Sequence, residues 1–428
     1  MKRHLLAGLT GLTLLGAVGF AIAQTPLVPQ VSIINSGDLF QDVVNGAPVV
    51  GNQYASASLL AGYTRSVAMS NNVLVGGDAT TNLFQRGTTG ASETTTYAYG
   101  GPDRWAYWSG TATAMTVSRD STAADLPASG YEYGFKMART SGQTGVVQVC
   151  MAQEVETVNS YQFQGQIAEL DFHATAGANF SAASSNMTAY IVTGTGTDEG
   201  MQKLAYGLNG GGGGSSGWTG QANATAAVIP ISTNNTRYAA VATIPTGATE
   251  IGVVLCFTPV GTAGANDYIA FAGIALVRNP ALAPNVSTTV GYNCSSILCT
   301  SFERRPQEIE TALQQRYYYS VAESVTSGTQ QSSAGNGATT TTCQLFFPFP
   351  VNMRAAPTFA ATVTTSTWTI THIATATALS SSGLAVLGAN TVNGGSITAT
   401  VASGLTTGQT CVLTSANGGG TITWSAEL

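Results

Sequence analysis

The sequence predicts an all-β protein: a β-sandwich, then a short helical joint, then a second, smaller β domain. Three observations predict it. Charged residues make up 8% of the chain, against roughly 25% in an average soluble domain, and long helices need Glu, Lys and Arg on their faces. Short apolar runs recur between Gly, Asn and Pro turns, the cadence of a β-sandwich. Helical spacing is convincing in one segment, 306–318. An apolar fraction of 44% supplies a core and speaks against disorder, and 428 residues suggest two or three domains.

Residues 1–23 read as a signal peptide. Lys2, Arg3 and His4 form a basic start, Leu5 to Ile22 is uncharged, and Ala21 and Ala23 are the small residues before a cut at Ala23–Gln24. An uncleaved membrane anchor is the competing reading, since the run approaches the ~20 residues that span a bilayer. The 15 Lys and Arg oppose 21 Asp and Glu, a net charge of −6; without Lys2 and Arg3 it is 13 against 21, or −8. No basic stripe exists, so nucleic acid is excluded as a partner, and no membrane contact is expected once the leader is cut.

Residues 24–71 are weakly patterned and read as an N-terminal arm or attachment segment. From Asn72 the strand signals become regular and run to residue 278. The clearest is 167–176, where Leu170, Phe172 and Ala174 alternate with Glu169, Asp171 and His173. Gly-rich 207–217 reads as a surface loop. Residues 279–302 are broken by Pro and Asn-Pro and read as a connector. In the joint, 303–320, Pro306 suits a first helical turn and Ile309, Ala312, Leu313 and Tyr317 share one face. Residues 321–428 return to β, ending with Ile422, Trp424, Ala426 and Leu428 on one face.

The even set of cysteines, with an export signal, makes disulfides the expectation: Cys294–Cys299 in the connector, Cys343–Cys411 in the terminal domain and Cys150–Cys256 in the sandwich. Free thiols compete for Cys150 and Cys256, which lie in apolar runs. Without a C-x-x-C pair, a zinc site is not expected.

From Asn72 to Val277 the phrases NNVLVGGDATTNLFQRGTTG, GPDRWAYWSG, QVCMAQEVE and FQGQIAELDFHATAGANFS, followed by FERRPQEIETALQQRYYYS, resemble the carbohydrate-binding-module-like jelly-roll proteins of tailed-phage and prophage virions, tail fibres among them. The likeness covers residues 72–428. It implies a jelly roll, a joint and a small terminal β domain, in a virion structural protein of fibre or receptor-binding type that recognises host glycans and assembles as a homotrimer. Gln314 stands where such joints often carry Cys, and a leader is not expected of a protein assembled in the cytoplasm. A second reading therefore stands beside the first: an exported bacterial surface or secreted carbohydrate-binding protein. Localisation follows accordingly: periplasm, cell surface or exterior, or the virion if the chain is of phage origin.

No enzyme is expected. Glycoside hydrolysis needs two carboxylates across a cleft, and neither Asp198–Glu199 nor Glu154–Glu156 sits in such a frame. No G-x-S-x-G accompanies His173 or His372. Sugar binding needs aromatic planes and amide or carboxylate partners, and the candidates are Tyr107, Trp108 and Trp218, with core packing as the competing reading. No cofactor is expected beyond a structural calcium, which the resemblance implies and for which Asp171 and Asp267 are the weak candidates; a solvated polar face is the alternative.

Overall fold

In this computed structural model the described residues are 71–428, apart from 80–83, 89–96, 102, 110–114, 296, 298, 323–328, 362–367, 373–374 and 417–420, together with four short strands between 39 and 56. The leader, Ala23–Gln24 and most of the arm lie outside them. The chain divides into two compact units at Ser70–Asn71. In the first, β1 (Leu39–Gln41) pairs with β4 (Tyr54–Ser56), and β2 (Val43–Val44) with β3 (Ala47–Pro48), both antiparallel.

The second unit begins with a two-sheet sandwich. Its strands are β5 (Ala98–Tyr99), β6 (Ala106–Ser109), β7 (Met115–Asp120), β8 (Gly134–Arg139), β9 (Val149–Val155) and β10 (Ile167–Ala176). They continue with β11 (Asn186–Gly194), β12 (Ala222–Pro230), β13 (Thr236–Thr243), β14 (Glu250–Phe257), β15 (Tyr268–Arg278) and β16 (Tyr292–Asn293). The first sheet has the order β16-β13-β10-β15-β8-β7 and the second β12-β11-β14-β9-β6-β5. The period of two decides which side chains meet between them. Leu170, Phe172 and Ala174 of β10 enter the core with Phe135, Met137, Ile251, Val253, Leu255 and Phe271. Glu169, Asp171 and His173 take the outer face.

Residues 279–302 are more than a link. The stretch 288–291 hydrogen-bonds along β12, Val228 forming a parallel bridge with Val290, and β16 extends the first sheet beside β13. Backbone donors left open at sheet edges are satisfied by this segment.

Two helices of eight or more residues matter for function. Helix α1 (Met201–Asn209) lies on the outer face of the second sheet, where Met201, Leu204 and Ala205 join Trp108, Cys150, Val192, Val254 and Cys256 in a second apolar cluster. Helix α2 (Gln307–Gln315) is the joint, with Pro306 at its N-cap and Glu308 and Glu310 in its first turn, where the helix dipole favours acids. Its orientation differs from the expected one. Glu310 and Gln314 are its buried residues, while Ile309, Ala312 and Leu313 are half-buried. The reason is what the helix docks against. A Glu310 carboxylate oxygen accepts from the backbone N–H of Gly76 and the other pairs with Arg305 at 3.0 Å. The open donor of residues 72–78 needs an acceptor more than an apolar side chain.

The terminal domain has a closed barrel in the order β18-β19-β23-β22-β21-β24, from β17 (Tyr318–Ala322), β18 (Thr329–Gly337), β19 (Thr342–Pro348), β20 (Thr358–Ala361), β21 (Trp368–His372), β22 (Thr375–Val386), β23 (Gly394–Val401), β24 (Thr410–Ala416) and β25 (Thr421–Ser425). The remaining strands, β17, β25 and β20, form a three-stranded sheet. Trp424 is fully buried, with Tyr319 stacked on it at 5.9 Å and Phe347 at 5.1 Å. Ile422 and Ala426 are buried beside it, the alternation read in the sequence. Among the described residues no helix is long and apolar enough to cross a membrane.

Candidate functional site

All three expected disulfides form. Cys150–Cys256 joins directly opposed residues of β9 and β14. Cys294–Cys299 closes a small loop in 279–302, and Cys343–Cys411 ties β19 to β24. The alternative of free thiols is overturned: the described residues include no free cysteine.

The aromatic candidates are corrected by burial. Tyr107 is 1% exposed, Trp108 0% and Trp218 3%. Tyr107 faces the core between the sheets. Trp108 and Trp218 face the other way, as the period of two requires of Trp108, but α1 and the glycine loop cover them. The Trp108 indole N–H donates to Asn209 Oδ1 at 3.1 Å, and the Trp218 indole N–H to the Gly200 carbonyl at 3.1 Å. A Cβ at Gly211 would stand 2.4 Å from Trp108 Cδ1. The glycine run is therefore a packing requirement: backbone lies on the indole where a sugar was expected.

What stays accessible is the rim of this cover. Asn209, at the end of α1, is its hub. Its Oδ1 also accepts from Gly211 N at 3.0 Å, and its Nδ2 donates to Gln148 Oε1 at 3.0 Å. Gln148 Nε2 in turn donates to the Tyr190 hydroxyl at 3.4 Å. Gln148, Tyr190 and Asn209 are half-buried, and Tyr206 is 37% exposed on the same helix. Two amides and two phenols on a rigid support offer hydroxyl-binding groups and ring faces. Sequence reading missed them because Gln148, just before β9, and Tyr190 of β11 are far apart in the chain, with nothing local to link them.

The calcium candidates are corrected as well. Asp267 is fully buried against Arg139, Oδ2 to Nη1 at 2.7 Å, and accepts from Ser181 Oγ at 2.7 Å and Ser181 N at 3.0 Å. Arg139 also donates to the carbonyls of Gln143, Gly145 and Gly261. Asp171 pairs with Arg237, and burial pushes its carboxyl well above the usual carboxylate range. Arginine occupies both carboxylates, and no group of three His, Cys, Asp or Glu fit for a metal exists among the described residues.

The other acids considered for chemistry are engaged in structure. Glu154 pairs with Arg104 at 3.2 Å and Glu156 with Arg316 at 3.1 Å. Asp198 accepts from Thr157 N at 2.9 Å. Burial works to raise the Glu199 carboxyl, but donors from Lys203 and Thr219 hold it below its ordinary value. His173 Nδ1 meets Asn235 Oδ1 at 3.0 Å, and burial lowers its pKa. A small cleft at the joint is walled by Asp78, Glu303, Arg305 and Glu310, where Arg304 pairs with Asp78 and Arg305 with Glu310.

No family model and no curated protein matches the chain. Among solved structures it is similar to a family 61 carbohydrate-binding module in complex with β-1,4-galactotriose, at 13% identity over 49% of this chain and 100% of that one, with a TM-score of 0.28. It is similar to carbohydrate-binding modules of the β-sandwich superfamily at 10% identity, over 44% of this chain and 63% of that one, with a TM-score of 0.29. The enzymatically active domain of tailspike protein 4 from bacteriophage CBA120 gives 13% identity over 49% of this chain and 22% of that one, with a TM-score of 0.27. At these identities and scores the likeness says nothing of ligand or activity.

Proposed function

We propose that this chain is a non-enzymatic virion structural protein of phage or prophage, of fibre or receptor-binding type, whose sandwich contacts a cell-surface glycan. The observation that carries the reading is the joint. Its arginines fasten it to the sandwich: Arg304 to Asp78, Arg305 to the carbonyls of Asn72 and Leu74, and Arg316 to Glu156. Charge that the rest of the sequence avoids is spent on seating the segment that links two β modules, which suits display more than turnover. The acids and histidines weighed for chemistry are held in ion pairs or hydrogen bonds of the fold. Glycan contact falls to Gln148, Tyr190, Asn209 and Tyr206. The fibre reading carries a homotrimer, built through the half-buried apolar side of α2 and the terminal domain.

A glycan array with the mature protein tests the contact. Binding in roughly the 0.1–1 mM range is expected, lost on Tyr190→Ala or Gln148→Ala, with no reducing ends released from the bound polysaccharide. An array without hits removes the glycan, and released sugar removes the non-enzymatic reading. The three disulfides favour the second reading, an exported bacterial surface or secreted carbohydrate-binding protein. Mass spectrometry of purified particles against periplasm and culture medium separates the two.

A further inference from the structure

Where the sandwich meets the end of the terminal domain lies a cluster whose charges do not balance. Arg104 leaves the Asp103–Arg104 turn with φ of 66°, a left-handed conformation uncommon outside glycine, and this turn aims its guanidinium inward. There it meets Glu154 of β9 at 3.2 Å and Glu427, two residues beyond β25. Arg86 pairs with Glu427 at 2.9 Å and stands 3.9 Å from Asp103. No side chain of these five is more than 10% exposed. Two guanidiniums thus face three carboxylates where water does not reach.

The surroundings do not supply the missing charge. Arg104 lies 3.8 Å over the Tyr317 ring, and Arg86 3.6 Å over Tyr318 and 5.2 Å over Tyr99. Burial raises the pKa of Tyr97, Tyr99, Tyr317 and Tyr318 above the ordinary tyrosine value, so these rings are neutral. The flanking ions come in pairs: Arg316 with Glu156, Arg354 with Asp198 and Arg305 with Glu310. Arg354 also donates to the backbone carbonyls of Ala426 and Glu427.

We propose that this cluster takes up one proton in mild acid, on Asp103, and that the proton tightens the fastening of the sandwich to the terminal domain. Asp103 and Glu154 each have one buried oxygen without a donor, Oδ1 and Oε2, and Asp103 is the acceptor because no arginine hydrogen-bonds to it. Its Oδ2 accepts from Gln85 N at 3.0 Å and Gln85 Nε2 at 3.1 Å, and 3.9 Å to Arg86 is too long for a hydrogen bond. Glu154 has both Arg104 and the Tyr99 hydroxyl, at 3.0 Å. Glu427 has both arginines, which together hold its carboxyl below its ordinary value against the burial that would raise it. Burial pushes Asp103 up to about 6, offset in part by Arg86 and Gln85. For a carboxyl raised in the folded state, the favourable contribution is present in acid and is lost as pH rises through that value.

The test is the thermal midpoint of the full chain from about pH 7.5 to about pH 5.5, for wild type, Asp103→Asn and Glu154→Gln. Asp103→Asn keeps an oxygen for Gln85 and fixes the neutral state. It should melt a few degrees above wild type at the upper pH, and the gap should close at the lower. Glu154→Gln leaves two carboxylates for two arginines and should likewise flatten the pH dependence. A gap constant across the range, for whichever variant folds, overturns the proposal. Should neither fold, a wild-type midpoint that rises on acidification supports it, and one that stays level or falls overturns it.

Discussion

Trp108 illustrates how far a single residue can be read alone. Its neighbours Tyr107 and Ser109 alternate with it, so the strand puts it outside the central core. Outside that core it is nevertheless fully buried, because α1 and the glycine loop arrive from a hundred residues away. Its role is therefore in stability. Trp108→Ala should cost roughly 3–5 kcal/mol in urea unfolding and leave glycan binding of the folded fraction unchanged. A variant of native stability with altered binding would return Trp108 to the site. Tyr190 and Gln148 carried no such flag in the sequence. Each is an ordinary polar residue of a strand-like run, and their contact at 3.4 Å exists only when β9 and β11 both flank β14.

At the scale of the element, α2 shows a pattern whose sense the partner reversed. Ile309, Ala312, Leu313 and Tyr317 do form a stripe, and a helix of this length needs tertiary support. Yet Glu310 and Gln314 are the residues it buries, because the loop it meets presents the Gly76 N–H and Arg305 stands just ahead of the helix. Leu313→Ala should then cost an isolated chain about 1 kcal/mol, less than the loss of a fully buried leucine. In a trimer sealed by the same face it should cost more and loosen assembly. Light scattering at micromolar concentration reads both: wild type at three times the chain mass, Leu313→Ala shifted towards one. A monomeric wild type ends the trimer. The segment 279–302 is a second element that composition misdescribed. Its Pro and Asn-Pro breaks announce irregular backbone, but say nothing of the sheet edges that this backbone covers.

Across the whole molecule, cross-links and charges occupy different places. Each disulfide lies within one β module or its border, whereas the buried pairs of Arg86 and Arg104 with Glu427 join one module to the other. Reduction should therefore weaken the modules themselves, whereas mild acid acts on the contact between them and tightens it. Cys343–Cys411 closes a loop of 68 residues, and its removal as a Cys343→Ala, Cys411→Ala pair should cost about 4 kcal/mol by loop entropy. Calorimetry should show the terminal domain melting early while the sandwich transition stays in place. A uniform downward shift of a single transition would mean that the joint makes both modules one cooperative unit.

The sequence by itself determined the class of this protein. Scarce charge, strand-length apolar runs and period-two alternation sufficed for two β modules around a helical joint, since those signals are local and a strand reports its own faces. The even cysteine count, with one pair assigned to each structural unit, sufficed for the pairs. The tertiary structure decided which aromatic rings reach solvent, which carboxylates meet arginine and which side of α2 is buried. Each of those depends on what a distant segment lays over a residue: the Gly211 backbone over Trp108, Arg139 beside Asp267, the Gly76 N–H under Glu310. Burial and charge pairing belong to pairs of segments, and a single run of residues carries only one half of each pair.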